Sequence, residues 1–127
     1  NAFTSEIGHW VLHDCGMWIV TLKGDDTAIG IVGHWVTANW PETEVGWVLF
    51  NAANEGKGYA REASEASVDH AWNVLKWDTI VSYINPGNDP SVALAERLGA
   101  VLDQDAPQPN PEKPCLVYRH PKPEAAA

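Results

Sequence analysis

The chain has 127 residues, 45% of them hydrophobic, which is enough to close one core, so a single domain spanning residues 1–127 is expected. The formal net charge of -9 would repel a phosphate backbone, which argues against nucleic acid as a partner. No stretch approaches the roughly 18 apolar residues of a membrane-spanning helix, and the two cysteines favour a reduced, cytoplasmic setting over a disulfide-rich secreted one.

The first half of the chain is predicted to form a short helix followed by three strands. Apolar residues at helical spacing indicate a helix over Phe3 to Cys15. β-Branched and aromatic residues indicate a strand from Met17 to Lys23, and a glycine turn leads it into a second strand, Thr27 to Thr37, as an antiparallel hairpin. Thr43 to Phe50 is predicted to be a third strand, with Glu44 and every second residue after it on one face.

The second half of the chain completes two successive strand–loop–helix units. A helix over residues 60–75 follows the third strand, and a strand over 79–84 is followed by a helix over 90–98. Two such units in succession imply at least one parallel pair of strands. After a proline-rich connection, Cys115 to Arg119 is predicted to be the last strand, and residues 121–127 to be a frayed tail.

Glycines mark the turn between the third strand and the following helix. The first N–H groups of a helix have no partner within it and carry the positive end of the helix dipole, so a loop without Cβ bulk lets phosphate oxygens approach them. Gly56 and Gly58 supply such a loop. Their spacing is not the GxGxxG of dinucleotide-binding folds, and Gly58 follows Lys57 where a Walker loop has Ser or Thr, so both of those interpretations are excluded.

Three sequence motifs follow one another along the chain, from Trp40 to Trp47, from Gly56 to Ala63 and from Asn88 to Ala100. In this order they resemble the GNAT superfamily of acetyltransferases, in particular the branch of RimJ/RimL-type ribosomal-protein N-terminal acetyltransferases. The resemblance implies an α+β fold with a mixed, mostly antiparallel central sheet, a parallel pair of strands splayed at the cofactor site, and helices on both faces. It also implies transfer of an acetyl group from acetyl-CoA to a primary amine, on a protein N-terminus or a small molecule, without a metal.

The resemblance further assigns residues to the cofactor. The backbone amides of the glycine loop would bind its pyrophosphate, and the end of the third strand would pair with the amides of its pantetheine arm. The residues implied in binding are Val48, Leu49, Phe50, Glu55, Gly56, Lys57, Gly58, Tyr59, Ala60 and Asn88. Ser91 would lie near the thioester sulfur. Helix capping and first-turn solvation explain Asn88 and Ser91 equally well from the sequence alone.

Two positions depart from the family pattern. Glu55 replaces a Gln, Arg or Trp and would bring a carboxylate near the cofactor phosphates. Ala95 stands where many relatives carry the tyrosine proposed as general acid, so that role would pass to Ser91, to water or to no residue. These departures leave a second function open, that of a non-catalytic module that binds acyl-CoA.

The reaction implied by the family also requires a base. A protonated amine cannot attack a thioester, so a carboxylate must remove its proton, directly or through water. Glu44 is the first candidate because the third strand aims it along the same face as Gly46 and Val48, and Glu42 is the second. The alternative is that Glu44 is a solvated residue at a strand edge.

One histidine pair invites a metal-binding interpretation. His9 and His13 are four residues apart and lie near Cys15. Three ligands with no carboxylate or second cysteine nearby make a poor metal site, so these histidines are expected to be structural.

The sequence says least about the side of the active-site cleft that would hold the amine acceptor. Three tryptophans would either line that side or pack in the core: Trp35, Trp40 and Trp47. The family normally begins with a strand and one or two helices that help to form this side, whereas this chain starts at the last of those helices, so the domain is expected to be N-terminally incomplete. A partner chain could then cover the edge of the hairpin, and a homodimer is an arrangement that the sequence leaves open.

Overall fold

The computed structural model describes residues 2–38, 40–50 and 58–124 of the chain. The predicted helices and strands are all found within these ranges, with ends that differ from the predictions by one or a few residues. In chain order the elements are α1 (Ala2–His13), β1 (Met17–Thr21), β2 (Ala28–Trp35), β3 (Glu44–Leu49), α2 (Tyr59–Asn73), β4 (Val81–Ile84), α3 (Asp89–Arg97), β5 (Val101–Leu102) and β6 (Leu116–Arg119). In the described ranges, no helix is both long and apolar enough to cross a membrane.

The strands form one mixed sheet in the order β1-β2-β3-β4-β6-β5. β3 and β4 are parallel, and each of the other neighbouring pairs is antiparallel. A parallel pair needs a long crossover connection, which α2 supplies between β3 and β4. The predicted α+β architecture with a mixed, mostly antiparallel sheet is confirmed.

The helices α2 and α3 share one face of the sheet. Val45 and Trp47 are two residues apart on β3 and therefore point to the same side. Val45 packs with Ala71 of α2, and Trp47 packs against the buried cluster that contains Ala95 of α3. The main core of the described residues lies between this face and the two helices.

α1 is attached to the opposite face through His9. The indole of Trp35, which pairs with Glu44 and so lies on the other side from Val45, stacks on the His9 ring with centroids 4.5 Å apart. The Val36 N–H donates to His9 Nε2 at 2.8 Å, so Nδ1 carries the proton that is donated to the Cys15 carbonyl at 2.7 Å. Both ring nitrogens have backbone partners, which supports a structural role for this histidine.

Polar contacts hold β3 and β4 together at the end where both strands begin. Arg119 of β6 donates to both carboxylate oxygens of Glu42, at 2.8 and 3.0 Å, and to the Thr79 hydroxyl at 2.8 Å. The Thr43 hydroxyl donates to the Thr79 carbonyl at 2.6 Å. Since Glu42 and Thr43 precede β3 and Thr79 precedes β4, this end of the parallel pair is closed. Glu42, the second candidate base, is occupied by this ion pair.

His120 follows β6 and is 3% exposed. Its backbone N–H donates to the Ile80 carbonyl at 3.0 Å, its Nε2 lies 2.9 Å from the Ser82 hydroxyl, and its ring meets Trp47 edge-on at 6.4 Å between centroids. Burial away from water disfavours the charged imidazolium and lowers the pKa of His120 from 6.5 to about 4.

We expect the free energy of unfolding to decrease as the pH falls from 6.5 towards about 4, the two pKa values of His120 in the unfolded and folded chain. In that window the unfolded chain binds a proton that the folded chain does not, so lowering the pH favours unfolding, by up to about 3 kcal/mol. Urea unfolding at about pH 7 and about pH 4.5 should show this loss for the wild type, and a smaller loss for His120→Phe, which keeps a ring but cannot titrate. Equal losses of unfolding free energy in the two proteins would contradict the assignment of this pH dependence to His120.

Candidate active site

A cavity of about 500 Å³ opens between β3 and β4 beyond the closed end. It brings together four residues that the sequence placed in the site: Glu44 and Val48 of β3, Asn88 before α3, and Ser91 in the first turn of α3. A second groove of about 430 Å³ lies between β1 and α2 and contains none of the predicted site residues. The candidate site is therefore the cavity between the parallel strands.

Glu44 points its carboxylate into this cavity. Its Oε1 accepts a hydrogen bond from Trp40 Nε1 at 2.9 Å and its Oε2 accepts one from the Tyr83 backbone N–H at 3.2 Å. Burial raises the pKa of Glu44 above 4.5, and the two N–H donors oppose that rise. A Cβ on Gly46 would lie 3.4 Å from Oε2, so the glycine leaves the carboxylate accessible. The alternative of a residue at a strand edge is wrong, because β3 lies between β2 and β4 in the sheet, and the Glu44 side chain is half-buried there.

Ser91 and Asn88 lie across the cavity from Glu44, on the α3 side. Asn88 Oδ1 accepts from the Ser91 N–H at 3.3 Å and caps the helix, so the structural role considered for Asn88 is present. Trp47 Nε1 donates to Ser91 Oγ at 3.3 Å. Because this bond uses a lone pair of Oγ, the Ser91 hydroxyl proton remains available to a group in the cavity.

The inner edge of β3 faces the cavity past Glu44. The described residues pair β3 with β4 only at Glu44↔Val81, and Gly46 and Val48 border the opening beyond it. Leu49, the last residue of β3, and Phe50 after it do not border the cavity, and the Phe50 N–H is turned towards β2, where it bonds to the Ile29 carbonyl at 2.9 Å. Pairing of this strand end with a pantetheine arm stays a prediction.

The glycine loop is described only from its last residue. Glu55, Gly56 and Lys57 lie outside the described residues. Gly58 has φ of 84°, a left-handed conformation that favours glycine, and its carbonyl accepts the Glu62 N–H at 3.0 Å as α2 begins. The helix starts at Tyr59, followed by Ala60. The conformation of Gly58 gives a local reason for a glycine there that is independent of any phosphate.

Ala95 does not border the cavity in the described structure. It is 0% exposed and packs in the core with Ile84, Ala100 and Tyr118. The small side chain at this position therefore serves the contact between α3 and the sheet, and its methyl group has no proton to donate to a leaving thiolate.

The three tryptophans whose role the sequence left open all border the cavity. Trp35, Trp40 and Trp47 form much of its aromatic wall, and Trp47 also packs against the core, so both interpretations hold for that residue.

Sequence reasoning missed Ser82 and gave Tyr83 and His120 no role. Ser82 also borders the cavity and is 1% exposed. The one available signal was a lone polar residue in the apolar strand Val81–Ile84, since a buried hydroxyl requires a hydrogen-bond partner. The partner, His120, is 38 residues away in sequence, and no local pattern identifies it.

Comparisons with known proteins agree with this architecture. Residues 2–101 match the acetyltransferase (GNAT) domain family. The chain is similar to an acetyltransferase from Agrobacterium tumefaciens strain C58, with 38% identity and a TM-score of 0.85 over 93% of this chain and 67% of that one. It is also similar to the uncharacterized N-acetyltransferase YnaD of Bacillus subtilis strain 168, at 30% identity over 63% of this chain and 46% of that protein.

A more distant likeness concerns the fold alone. The aminoglycoside acetyltransferase AAC(6')-Ib, solved in complex with coenzyme A, has 19% identity and a TM-score of 0.71 over 89% of this chain and 69% of that one. The chain spans less than half the length of the curated relatives it matches, 42% and 46%. Since the family match covers most of the chain, the chain belongs to the GNAT family of acetyltransferases.

Proposed function

We propose that this chain is the acetyl-transferring domain of an N-acetyltransferase that uses acetyl-CoA and a primary amine on a protein N-terminus or a small molecule. The observation that carries the proposal is the cavity between β3 and β4, into which a carboxylate projects from one side and a serine hydroxyl from the other. Acetyl-CoA would supply the acetyl group as a thioester. The open edge of β3 and the cavity volume fit a narrow, extended arm of that kind.

In this proposal Glu44 accepts the proton that the amine loses, directly or through water. The Trp40 and Tyr83 N–H groups fix the direction of the carboxylate and favour its ionised form. Glu44 is the only charged residue that borders the cavity in the described ranges, which suits an acceptor that arrives as a cation. Glu42 contributes no free charge there because Arg119 binds it.

Ser91 is proposed to donate its hydroxyl proton towards the departing sulfur. The hydrogen bond from Trp47 holds Oγ in place, and the Asn88 cap fixes the backbone of the same turn. The side-chain amide N–H of Asn88 is left to bind the cofactor arm in the same proposal. The backbone amides around Gly58 are proposed to bind the pyrophosphate. The proposal also places the chain in the RimJ/RimL-type branch, which the sequence motifs support. It further includes a cytoplasmic setting, which the two free cysteines support.

The buried alanine at position 95 favours one other function. A site without the tyrosine general acid could bind acyl-CoA without transferring the acyl group. A panel of amines and peptides, assayed by thiol release from acetyl-CoA, separates the two. Binding without turnover on any acceptor would support the binding module.

We expect Glu44→Gln to lower kcat by about 100-fold or more while changing the affinity for CoA little, because a general base acts on the amine and the amide oxygen that the substitution leaves can still accept the Tyr83 N–H. The wild-type rate should rise with pH through a midpoint above 4.5, since burial raises the pKa of Glu44 and the base must be ionised. Glu96→Gln on the exposed side of α3 is the matched control. A Glu44→Gln enzyme that folds, as judged by urea unfolding, and keeps the wild-type rate would exclude Glu44 as the base.

We expect Gly58→Val to weaken CoA binding, measured by calorimetry, by about tenfold or more, because a side chain would obstruct the amides at the start of α2. Gly24→Val is the matched control. Gly24 has φ of 79° against 84° for Gly58, and a Cβ at either position meets no atom of the described residues within 4 Å, so both variants carry similar backbone strain. Equal affinities in the two variants would refute a cofactor site at the start of α2.

A further inference from the structure

We infer that Ser82 is a positioning residue that, together with Glu44, keeps β3 and β4 apart and so sets both the width of the cavity and the direction of the Glu44 carboxylate. The inference rests on the proposed function for its kinetic consequences, but its geometric content can be tested without any activity.

The backbone ladder between the two strands is interrupted at a defined point. The Val81 N–H donates to the Thr43 carbonyl at 3.0 Å, and Glu44↔Val81 is the register pair. In a regular parallel ladder the next bond in this direction would join the Tyr83 N–H to the Val45 carbonyl. Both of these backbone groups are instead bonded to side chains.

Glu44 and Ser82 take one group each. Glu44 Oε2 accepts the Tyr83 N–H at 3.2 Å, and the Ser82 hydroxyl donates to the Val45 carbonyl at 2.5 Å. The two side chains therefore satisfy the backbone donor and acceptor that the parting of the strands would otherwise leave unpaired. A buried backbone group left without a partner destabilises the folded state, so the open arrangement depends on both substitutes.

His120 holds the Ser82 hydroxyl in the required orientation. Because the single hydroxyl proton goes to Val45, the contact of 2.9 Å with His120 must run from Nε2–H to Ser82 Oγ. Ser82 is 1% exposed and His120 3%, so water does not compete freely for either group. The ring of His120 is itself placed by Trp47 and by the bond from its backbone N–H to Ile80.

Loss of the Ser82 hydroxyl would leave the Val45 carbonyl without a partner in the open arrangement. The nearest donor in the ladder is the Tyr83 N–H. If that N–H moved to Val45, the strands would close by one further bond, and Glu44 would lose a donor that holds its carboxylate in place. The cavity would then narrow and the Glu44 carboxylate would point in another direction, because a single oxygen atom, Ser82 Oγ, had been removed.

The test compares Ser82→Ala with Ser64→Ala. Ser64 is a matched control because it is 0% exposed, lies on α2 away from the cavity, and has a hydroxyl with no hydrogen-bond partner among the described residues. We expect Ser82→Ala to raise the Kd for CoA by about tenfold, which corresponds to ~1.4 kcal/mol, and to lower kcat as well. Ser64→Ala should leave both unchanged. Equal affinity and rate in the two variants would overturn the inference.

The pH profile provides a second measurement that a merely structural role would not alter. The Tyr83 N–H lowers the pKa of Glu44, so its transfer to Val45 would raise that pKa and move the acid limb of the rate profile to higher pH. The other titratable groups nearby do not account for a shift to higher pH. Burial keeps the Tyr83 phenol, with a pKa of about 12, and the Cys115 thiol uncharged across this limb, burial also holds the pKa of His120 down at about 4, and Glu42 is paired with Arg119. All variants are assayed with the same amine acceptor, so that the ionisation of the amine affects every rate profile equally. An unmoved acid limb in Ser82→Ala would contradict the proposed release of Glu44.

Failure of the inference and failure of the proposed function are distinguishable. If the wild type neither binds nor uses acetyl-CoA, the proposed function fails, and a crystal structure of Ser82→Ala still decides the inference by the distance from Tyr83 N to the Val45 carbonyl oxygen. A hydrogen bond there supports it, and strands as far apart as in the wild type overturn it. Should Ser82→Ala not fold, His120→Phe serves, because it removes the Nε2–H that orients Ser82 and should shift CoA affinity in the same direction.

Discussion

Backbone groups that leave a ladder in the interior of a protein need other partners, and this requirement governs the site. β3 and β4 pair at one register position and then part, and the donor and acceptor freed at that point are bonded to Glu44 and Ser82. The cavity is thus a consequence of two side chains that replace one backbone hydrogen bond. Without these two side chains, the freed donor and acceptor would lack partners unless the strands closed.

The same bonds place Glu44 between two opposing electrostatic effects. Burial disfavours the carboxylate, while the Trp40 indole and the Tyr83 amide favour it. A carboxylate that is held at the border of the cavity with a raised pKa is a stronger base than a free carboxylate, which suits it to take a proton. A structural role for Glu44 and a chemical role are therefore compatible, because the contacts that part the strands are those that aim its carboxylate.

The surrounding fold stiffens one end of the parallel pair and leaves the other open. Arg119 joins the segments that precede β3 and β4, and α2 and α3 cover one face behind them. Bonds to β2 on one side and to β6 on the other fix the outer edges of the two strands. Opening is consequently confined to the inner edges beyond Glu44, where α3 brings Ser91 to the cavity.

The sequence by itself determined the order of helices and strands, the parallel crossover, the face of β3 that carries Glu44, and the helix that carries Ser91, because these follow from local periodicity, capping and motif order. It could not determine that Glu42 is bound by Arg119, 77 residues away, or that Ala95 lies in the core. Nor could it find Ser82 and His120, whose contact joins β4 to the segment after β6. Hydrogen bonds between residues so distant in sequence depend on the register of β4 against β6 and on the parting of β3 from β4, and only the tertiary structure decides these.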